Sequence, residues 1–429
     1  MNILFINRMM GTAWGGGENY DFHLAQALQA IGHRPLFLTA RPLGSKPSAL
    51  SSDIEVLSFE MPYLRRYMYK LAGKVKRLPG LAAELDLYLF RQRVRLMLNS
   101  LLRKRSIDMV QVLGMPSLAG DLVRKKVPVV LRFPGPPAWF HSHRLRRFHS
   151  NPNTAIFSHG DTVDYFRARI GFSIDEIPPG VDDLLFKSLD EPRRLQKRIE
   201  LGIGAGEFVL ISVGRLIVGK GHDFLLRAFQ PQAAANPNLR LILLGDGALR
   251  SQLETTAQEL GIQRQVRFMG HLPKETVAQY LAASDLFCLF SDYENFSNAV
   301  MEAMSCGLPV LATRVGGFPM QVEDGRNGYL IDLGNHSRFQ ELVKRLSCGP
   351  DLRSRLSEGA RDFASRFTWG ASASLATEVY QRVLGRQSLG SVNIPGDPGE
   401  TAATFSYRDD LARSSRYLAG AARGDDSQP

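Results

Sequence analysis

Two cations and two acids in the second half of the chain are spaced for chemistry on a phosphorylated ligand. Arg215 and Lys220 share one loop, Val213-Gly-Arg-Leu-Ile-Val-Gly-Lys-Gly-His222, which follows an apolar run and precedes a helical pattern. In open α/β sheets, ligands collect at the carboxyl ends of strands. A pair of fixed cations there suits a diphosphate, and Gly219 and Gly221 let backbone approach closely. The acids lie in Glu294-Asn-Phe-Ser-Asn-Ala-Val-Met-Glu302, which runs on into Ala303-Met-Ser-Cys-Gly-Leu-Pro-Val310. Glu294 stands in the loop after the apolar run 286–290. Glu302 lies a turn or more into a helix that stops at Gly307, flanked by Val300, Met301, Ala303 and Met304. A carboxylate in that company is costly to bury without a partner, and ribose hydroxyls are suitable donors to it. Ser297 and Asn298 fall at the helix start, where free N–H groups favour an anion or a sugar oxygen. A strand, a loop carrying an acid and a helix start together make a common way to hold a sugar nucleotide.

Each element has a plainer reading. The cations could be solvated in a surface loop. Glu302 could pair with an internal arginine, and Glu294 could be an acid favoured at a helix N-terminus. Leu244-Gly-Asp-Gly247 closes a strand and opens a helix, so Gly245 fits a ligand site or a tight turn equally. In the first half, Gly11-Thr-Ala-Trp-Gly-Gly-Gly17-Glu18 follows the first apolar run. Its glycines Gly16 and Gly17 permit close approach to phosphate or sugar. The pattern is not Gly-x-Gly-x-x-Gly and no acid follows at a second strand's end, which counts against a dinucleotide oxidoreductase. Another strand ends in Arg132-Phe-Pro-Gly-Pro-Pro137, a turn stiffened by its prolines.

Positioning such residues takes strands whose ends share an edge. Apolar runs at 3–7, 35–39, 54–57, 109–113, 127–132 and 155–158 alternate with helical patterns such as Tyr20, Leu24, Ala27, Leu28 and Ile31. The rhythm restarts with strands at 208–213, 239–244, 266–269, 286–289 and 309–312 and helices near 221–235, 247–260, 274–283 and 297–306. That alternation argues for parallel sheets covered on both faces, hence an α/β fold of two doubly wound domains. Ile177-Pro-Pro-Gly-Val-Asp182 and the polar stretch 187–200 mark the boundary between them. The expected division is a first domain over 1–190, a second over 191–366, a helix over about 367–386, and a mostly disordered tail over 387–429 with a short helix near 409–422.

The chain has 429 residues, 44% apolar and 22% charged, which suits a globular protein of more than one core. No apolar run reaches the roughly 18–20 residues a membrane span needs, and the start lacks a signal-peptide pattern. Cys288, Cys306 and Cys348 lack metal-ligand spacing; reduced thiols and a cytoplasmic location are expected. The net charge of +11 is concentrated: residues 65–105 hold twelve Lys/Arg against two acids, Glu84 and Asp86, a net +10. Basic residues there alternate with Leu64, Tyr67, Met68 and Leu71, then Leu87, Leu89, Phe90, Val94, Leu98 and Leu101. The segment reads as an amphipathic face on an anionic membrane or as a solvated helix pair over a sheet. No nucleic-acid recognition motif accompanies it.

Taken together, Gly15-Gly-Gly-Glu18, Ile177-Pro-Pro-Gly-Val-Asp182, Gly214-Arg215 with Lys220-Gly221, the Glu294–Glu302 motif, and Val315-Gly-Gly317 with Glu323-Asp-Gly325 and Asn327-Gly328 resemble the retaining nucleotide-sugar glycosyltransferases of family 4. The resemblance covers residues 1 to about 386. It implies the GT-B fold, two Rossmann-like parallel-sheet domains facing across a cleft, with the last helix returning to the first domain. It also implies that Arg215 and Lys220 hold the donor diphosphate and that Glu294 meets the donor sugar. Phe296, Ser297 and Asn298 would present helix-start amides, Glu302 would take the ribose, and Gly16 and Gly17 would close on the phosphates. Glycosyl transfer would proceed with retention, with no metal and no cofactor beyond the nucleotide-sugar donor. The basic segment 65–105 adds the expectation of a glycan or lipid-linked acceptor for cell-surface polysaccharide or glycolipid, with the enzyme peripheral on the inner membrane face. Two positions depart from the family. Phe133 and Pro134 stand where many members carry a histidine, and Met320 stands where many carry an acid. Arg132, His159 and Asp161 are therefore candidates for the acceptor side. Rival readings are a sugar-nucleotide epimerase on the same fold and a non-catalytic partner in polysaccharide assembly.

Overall fold

In a computed structural model, residues 1–10, 15–45, 53–64, 78–137 and 142–385 are described. The expectations for the tail 387–429, for the turn 11–14 and for the stretch 65–77 lie outside the described residues. The described residues form two compact units, Met1–Ile177 with the described chain from Ser372 on, and Pro178–Ala371.

The first unit is a parallel sheet of β1 (Asn2–Ile6), β2 (Arg34–Pro42), β3 (Glu55–Met61), β4 (Met109–Leu113), β5 (Val129–Arg132), β6 (Thr154–Ser158) and β7 (Asp175–Glu176), in the order β3-β2-β1-β4-β5-β6-β7. Its helices are α1 (Gly16–Ala30), α2 (Leu78–Lys104), α3 (Pro116–Arg124), α4 (Ser142–His149) and the short α5 (Asp161–Tyr165). Leu4, Ile6, Leu36, Leu38, Val110, Val112, Val129 and Leu131 form one apolar face of that sheet, joined by Phe90, Val94 and Leu98 of α2. The helix Trp369–Val383 belongs to this unit from Ser372 on: the Tyr380 hydroxyl donates to Gln111 Oε1 at 2.5 Å and Arg382 pairs with Asp175.

The second unit is a parallel sheet of β8 (Phe208–Val213), β9 (Leu239–Leu244), β10 (Val266–Gly270), β11 (Leu286–Leu289), β12 (Val310–Thr313) and β13 (Gly328–Ile331), in the order β10-β9-β8-β11-β12-β13. Helices α6 (Glu191–Glu200), α7 (His222–Ala235), α8 (Arg250–Glu259), α9 (Lys274–Ala283), α10 (Asn298–Ser305), α11 (His336–Cys348) and α12 (Pro350–Ser365) cover it. Successive strand residues feed opposite cores. Val209, Ile211, Ile242 and Leu244 enter one cluster, and Phe208, Leu210, Leu241 and Leu243 the other. That period of two, apolar on both faces, is what a sheet buried on both sides requires.

Two differences from the sequence reading stand out. The unit boundary falls at Ile177/Pro178, at the start of the marked stretch 177–182 and short of the expected limit at 190, because Val181 and Phe186 join the second unit's core and the Ser305 hydroxyl donates to the Phe186 carbonyl at 2.5 Å. The polar stretch 187–200 contains α6, capped by Asp190 accepting from Arg193 N–H, with Arg198 buried on the carboxylate of Asp285 and the carbonyls of Ala283 and Gly204.

Candidate functional site

The loops after β8, β9 and β11 are stitched together by backbone. Gly214 N–H donates to Leu244 O, Leu216 N–H to Asp246 O and Asp292 N–H to Gly219 O, each at 2.9 Å. Gly245 sits at φ +135°, and a Cβ there would fall 1.9 Å from Gly214 O. Its absence of a side chain therefore serves loop packing, the plainer of its two readings. The result is a rigid frame at the carboxyl edge of the sheet, from which Arg215 and Lys220 project. Arg215 is exposed and makes no ion pair among the described residues.

Lys220 and Glu294 meet: the ammonium is bound to Glu294 Oε1, and both side chains are largely but not fully enclosed. Ser291 Oγ donates to the same Oε1 at 3.0 Å. The Glu294 carbonyl accepts from Gly317 N–H at 2.7 Å. A Cβ on Gly317 would lie 1.9 Å from Asn295 O, so the Val315-Gly-Gly loop packs on the Glu294 loop only because no side chain intervenes.

Ser297 is the N-cap of α10, its hydroxyl accepting from Val300 N–H. Its backbone is clamped by Gln321, which accepts from Ser297 N–H at 2.8 Å and donates to Ser297 O at 2.9 Å. Gln321 is fully buried and its own carbonyl accepts from Asn327 Nδ2 at 3.0 Å. The Ser297 amide, expected to approach a ligand, is thus already committed, leaving Asn298 as the first helical residue. Phe296 packs against the apolar core, its ring 5.9 Å from that of Phe367. Glu302 lies on α10 as expected and makes no ion pair among the described residues, so the internal arginine of the plainer reading is missing there. Desolvation by its apolar neighbours pushes its carboxyl up to about 7, offset in part by Lys274 and reinforced by Asp182.

The first unit's edge is built differently. Arg132, at the end of β5, is fully buried; its Nε donates to Asp21 Oδ1 at 2.7 Å and its Nη2 to Gly17 O at 2.7 Å. Asn7 Nδ2 donates to Asp21 Oδ2 at 2.9 Å and Gln111 Nε2 to Oδ1 at 3.2 Å. The guanidinium also lies 4.2 Å from the Tyr20 ring centroid. Arg132, a candidate for the acceptor side, is therefore enclosed and shapes the first turn of α1 instead. Gly16 is exposed at that turn, and Gly17 packs near the side chains of Leu113, Pro134 and Arg132. His159 is buried and stacked on Tyr20, with ring centroids 5.3 Å apart. Burial, reinforced by Arg132, lowers its pKa to about 3, which leaves a neutral ring of low basicity. Asp161 is half-buried at the start of α5. Sequence reasoning overlooked Ser291, Gln321 and Asp21. Only a polar residue inside an otherwise apolar run, as in Phe318-Pro-Met-Gln-Val322, signalled any of them. Among the described residues no group of three or more His, Cys, Asp or Glu could hold a metal ion, and no helix is long and apolar enough to cross a membrane.

Two Rossmann-like parallel-sheet units, the second with Arg215, Lys220, Glu294 and Glu302 along its carboxyl edge, define the class of fold. Residues 194–363 match the family model described as "Glycosyl transferases group 1". The chain is 33% identical over 218 residues to the D-inositol 3-phosphate glycosyltransferase of Corynebacterium kroppenstedtii, covering 49% of this chain and 48% of that protein. It thus spans about half the length of the curated relatives it matches. In fold it is similar to sucrose-phosphate synthase from Thermosynechococcus elongatus, with a TM-score of 0.71 and 19% identity over 90% of this chain and 100% of that one. It is also similar to Anabaena Alr3699/HepE, solved in complex with UDP-glucose, with a TM-score of 0.64 and 20% identity over 88% of this chain and 99% of that one.

Proposed function

We propose that the chain is a retaining glycosyltransferase that moves a sugar from a nucleoside-diphosphate sugar to an acceptor. The observation that carries this reading is the convergence at one sheet edge of an exposed cation, a cation–carboxylate pair and a carboxyl held near neutrality. Breaking an anomeric C–O bond leaves negative charge on a diphosphate. Cations fixed in advance stabilise that charge without reorganisation. Arg215 is available for this role, and Lys220 becomes so on exchanging Glu294 for phosphate oxygens. Glu294 then faces sugar hydroxyls and Glu302 those of the ribose, and turnover needs no metal. A thermal-shift screen with UDP-, GDP- and ADP-hexoses tests the reading, since a ligand that binds only the folded state raises its melting temperature. A rise with one of them, reduced in Arg215→Ala, supports the proposal; no rise with any overturns it.

The acceptor side of the proposal is a lipid-linked sugar at the inner face of the cell membrane, in polysaccharide or glycolipid synthesis. Its support is the surface of the first unit. Leu85, Tyr88 and Leu96 are exposed on α2, Leu96 at 74%, among exposed Arg93, Arg95, Arg103 and Lys104. Exposed Arg124, Lys125, Lys126, Arg144 and Arg147 continue the positive charge over α3 and α4. Anionic lipid attracts such a surface within a screening length. Co-sedimentation with anionic vesicles at low salt is expected, and its absence defeats the membrane reading. The relatives' name favours a second acceptor, D-inositol 3-phosphate; product formed with it and not with lipid-linked sugars decides for that reading. Donor conversion to an isomer without acceptor marks an epimerase, and donor binding without any turnover marks a non-catalytic partner.

A further inference from the structure

We propose that Ser291 is the positioning residue for Glu294, and that Lys220 changes partner, from Glu294 in the free protein to the diphosphate in the donor complex. The inference rests on the donor-site reading above and adds a residue and an order of events to it.

Lys220 Nζ and Ser291 Oγ both bind Glu294 Oε1, while Oε2 has no hydrogen bond or ion pair among the described residues. One oxygen is anchored and the other left for a ligand. The two anchors differ in kind. Lys220 is a cation on a long stem with part of its surface open, and a doubly charged diphosphate competes for it against a single carboxylate. Ser291 is fully buried two residues past β11, and its carbonyl accepts from Thr313 Oγ1, the last residue of β12, at 2.6 Å. Its backbone is thus tied to the end of β12, and burial fixes where the hydroxyl sits. When the ammonium turns to phosphate, the serine bond is what keeps the carboxylate in place, and Gly317 N–H holds the Glu294 backbone behind it. The free Oε2 is then presented to a sugar hydroxyl. Ser291 consequently acts on the hexose half of the donor and leaves the nucleotide half alone, a separation that a purely structural serine has no reason to show.

The test is calorimetric binding of UDP, GDP and ADP, each compared with its hexose conjugate, to the full chain and its variants. Ser291→Ala is expected to bind the preferred nucleoside diphosphate as the wild type does. It should bind the hexose conjugate about tenfold more weakly, the scale of a lost hydrogen bond to a charged group. Ser291→Thr, which keeps the hydroxyl, restores affinity. In a Glu294→Gln background, Ser291→Ala has no further effect, because the two act as one unit. Should Ser291→Ala fail to fold, Ser291→Cys, of similar size and weaker donor strength, takes its place with the same expectation. Equal weakening of diphosphate and hexose conjugate overturns the inference, as does an undiminished loss in the Glu294→Gln background. Failure of every nucleotide to bind the wild type overturns the donor-site reading and this inference with it; the other outcomes leave that reading standing.

Discussion

The two sheets present charged residues at the same structural place, the carboxyl ends of their strands, and spend them in opposite ways. In the first unit Arg132 and Asp21 are buried and paired with each other, and Asn7, Gln111 and the Gly17 carbonyl join the network, while Arg132 Nη1 has no hydrogen-bond partner among the described residues. In the second unit Arg215 is exposed, Glu302 makes no ion pair among the described residues, and the Lys220–Glu294 pair keeps part of its surface open. A charge at a sheet edge is thus open to a ligand where it stays exposed or can exchange its partner. Where a partner consumes it, the same residue type builds the scaffold.

Four substitutions set that contrast against measurement. The largest effect is expected from Asp21→Leu, which leaves the Arg132 guanidinium buried and uncompensated. A loss of about 3–5 kcal/mol in unfolding free energy, read by denaturant titration, is the scale for breaking a buried pair. A small change there would place Arg132 in contact with solvent. Arg215→Ala should instead spare the melting temperature and cut turnover by a factor on the order of 10²–10³. Unchanged turnover removes Arg215 from the site. Gln321→Leu unclamps Ser297 from both sides and should cost about 1–3 kcal/mol, with weaker nucleotide binding, because the helix start loses its fixed position. The smallest effect concerns Glu302. Its carboxyl, held near 7, is largely protonated at pH 6 and ionised at pH 8, and only the ionised form accepts from two ribose hydroxyls. Nucleotide affinity should rise about tenfold across that interval and stay flat in Glu302→Gln. The same shift works against folding in that interval. An acid whose folded pKa is raised holds its proton longer in the folded state, so this contribution to stability falls as pH rises through 7.

Much of the architecture was legible because its signals are local. Apolar runs such as 208–213, 239–244 and 286–289 state a strand without reference to anything distant. The two-residue β7 was too short to announce itself, and β13, Gly-Tyr-Leu-Ile, opens on a glycine straight after an Asn327 turn signal. Helix α6 read as a polar linker because the buried role of Arg198 appears only once Asp285, 87 residues away, is beside it. The site divides along the same line. Arg215, Lys220, Glu294 and Glu302 are conspicuous by charge and by place. Ser291 and Gln321 are ordinary polar residues whose meaning lies in a partner brought near by the fold. Arg132 was conspicuous for the wrong reason, since Asp21, 111 residues earlier in the chain, already occupies it.

One feature of the second unit reaches further. Near its start Val181 pairs with Thr368 near its end, and Val181 N–H donates to the Phe367 carbonyl at 2.8 Å. The segment 178–371 therefore begins and finishes at one spot, in the manner of a module spliced into a host chain. Such a module can be cut out as a single gene fragment without leaving loose ends, or reopened elsewhere with its old termini joined by a short bridge. The proposed nucleotide affinity could then be measured on this segment alone.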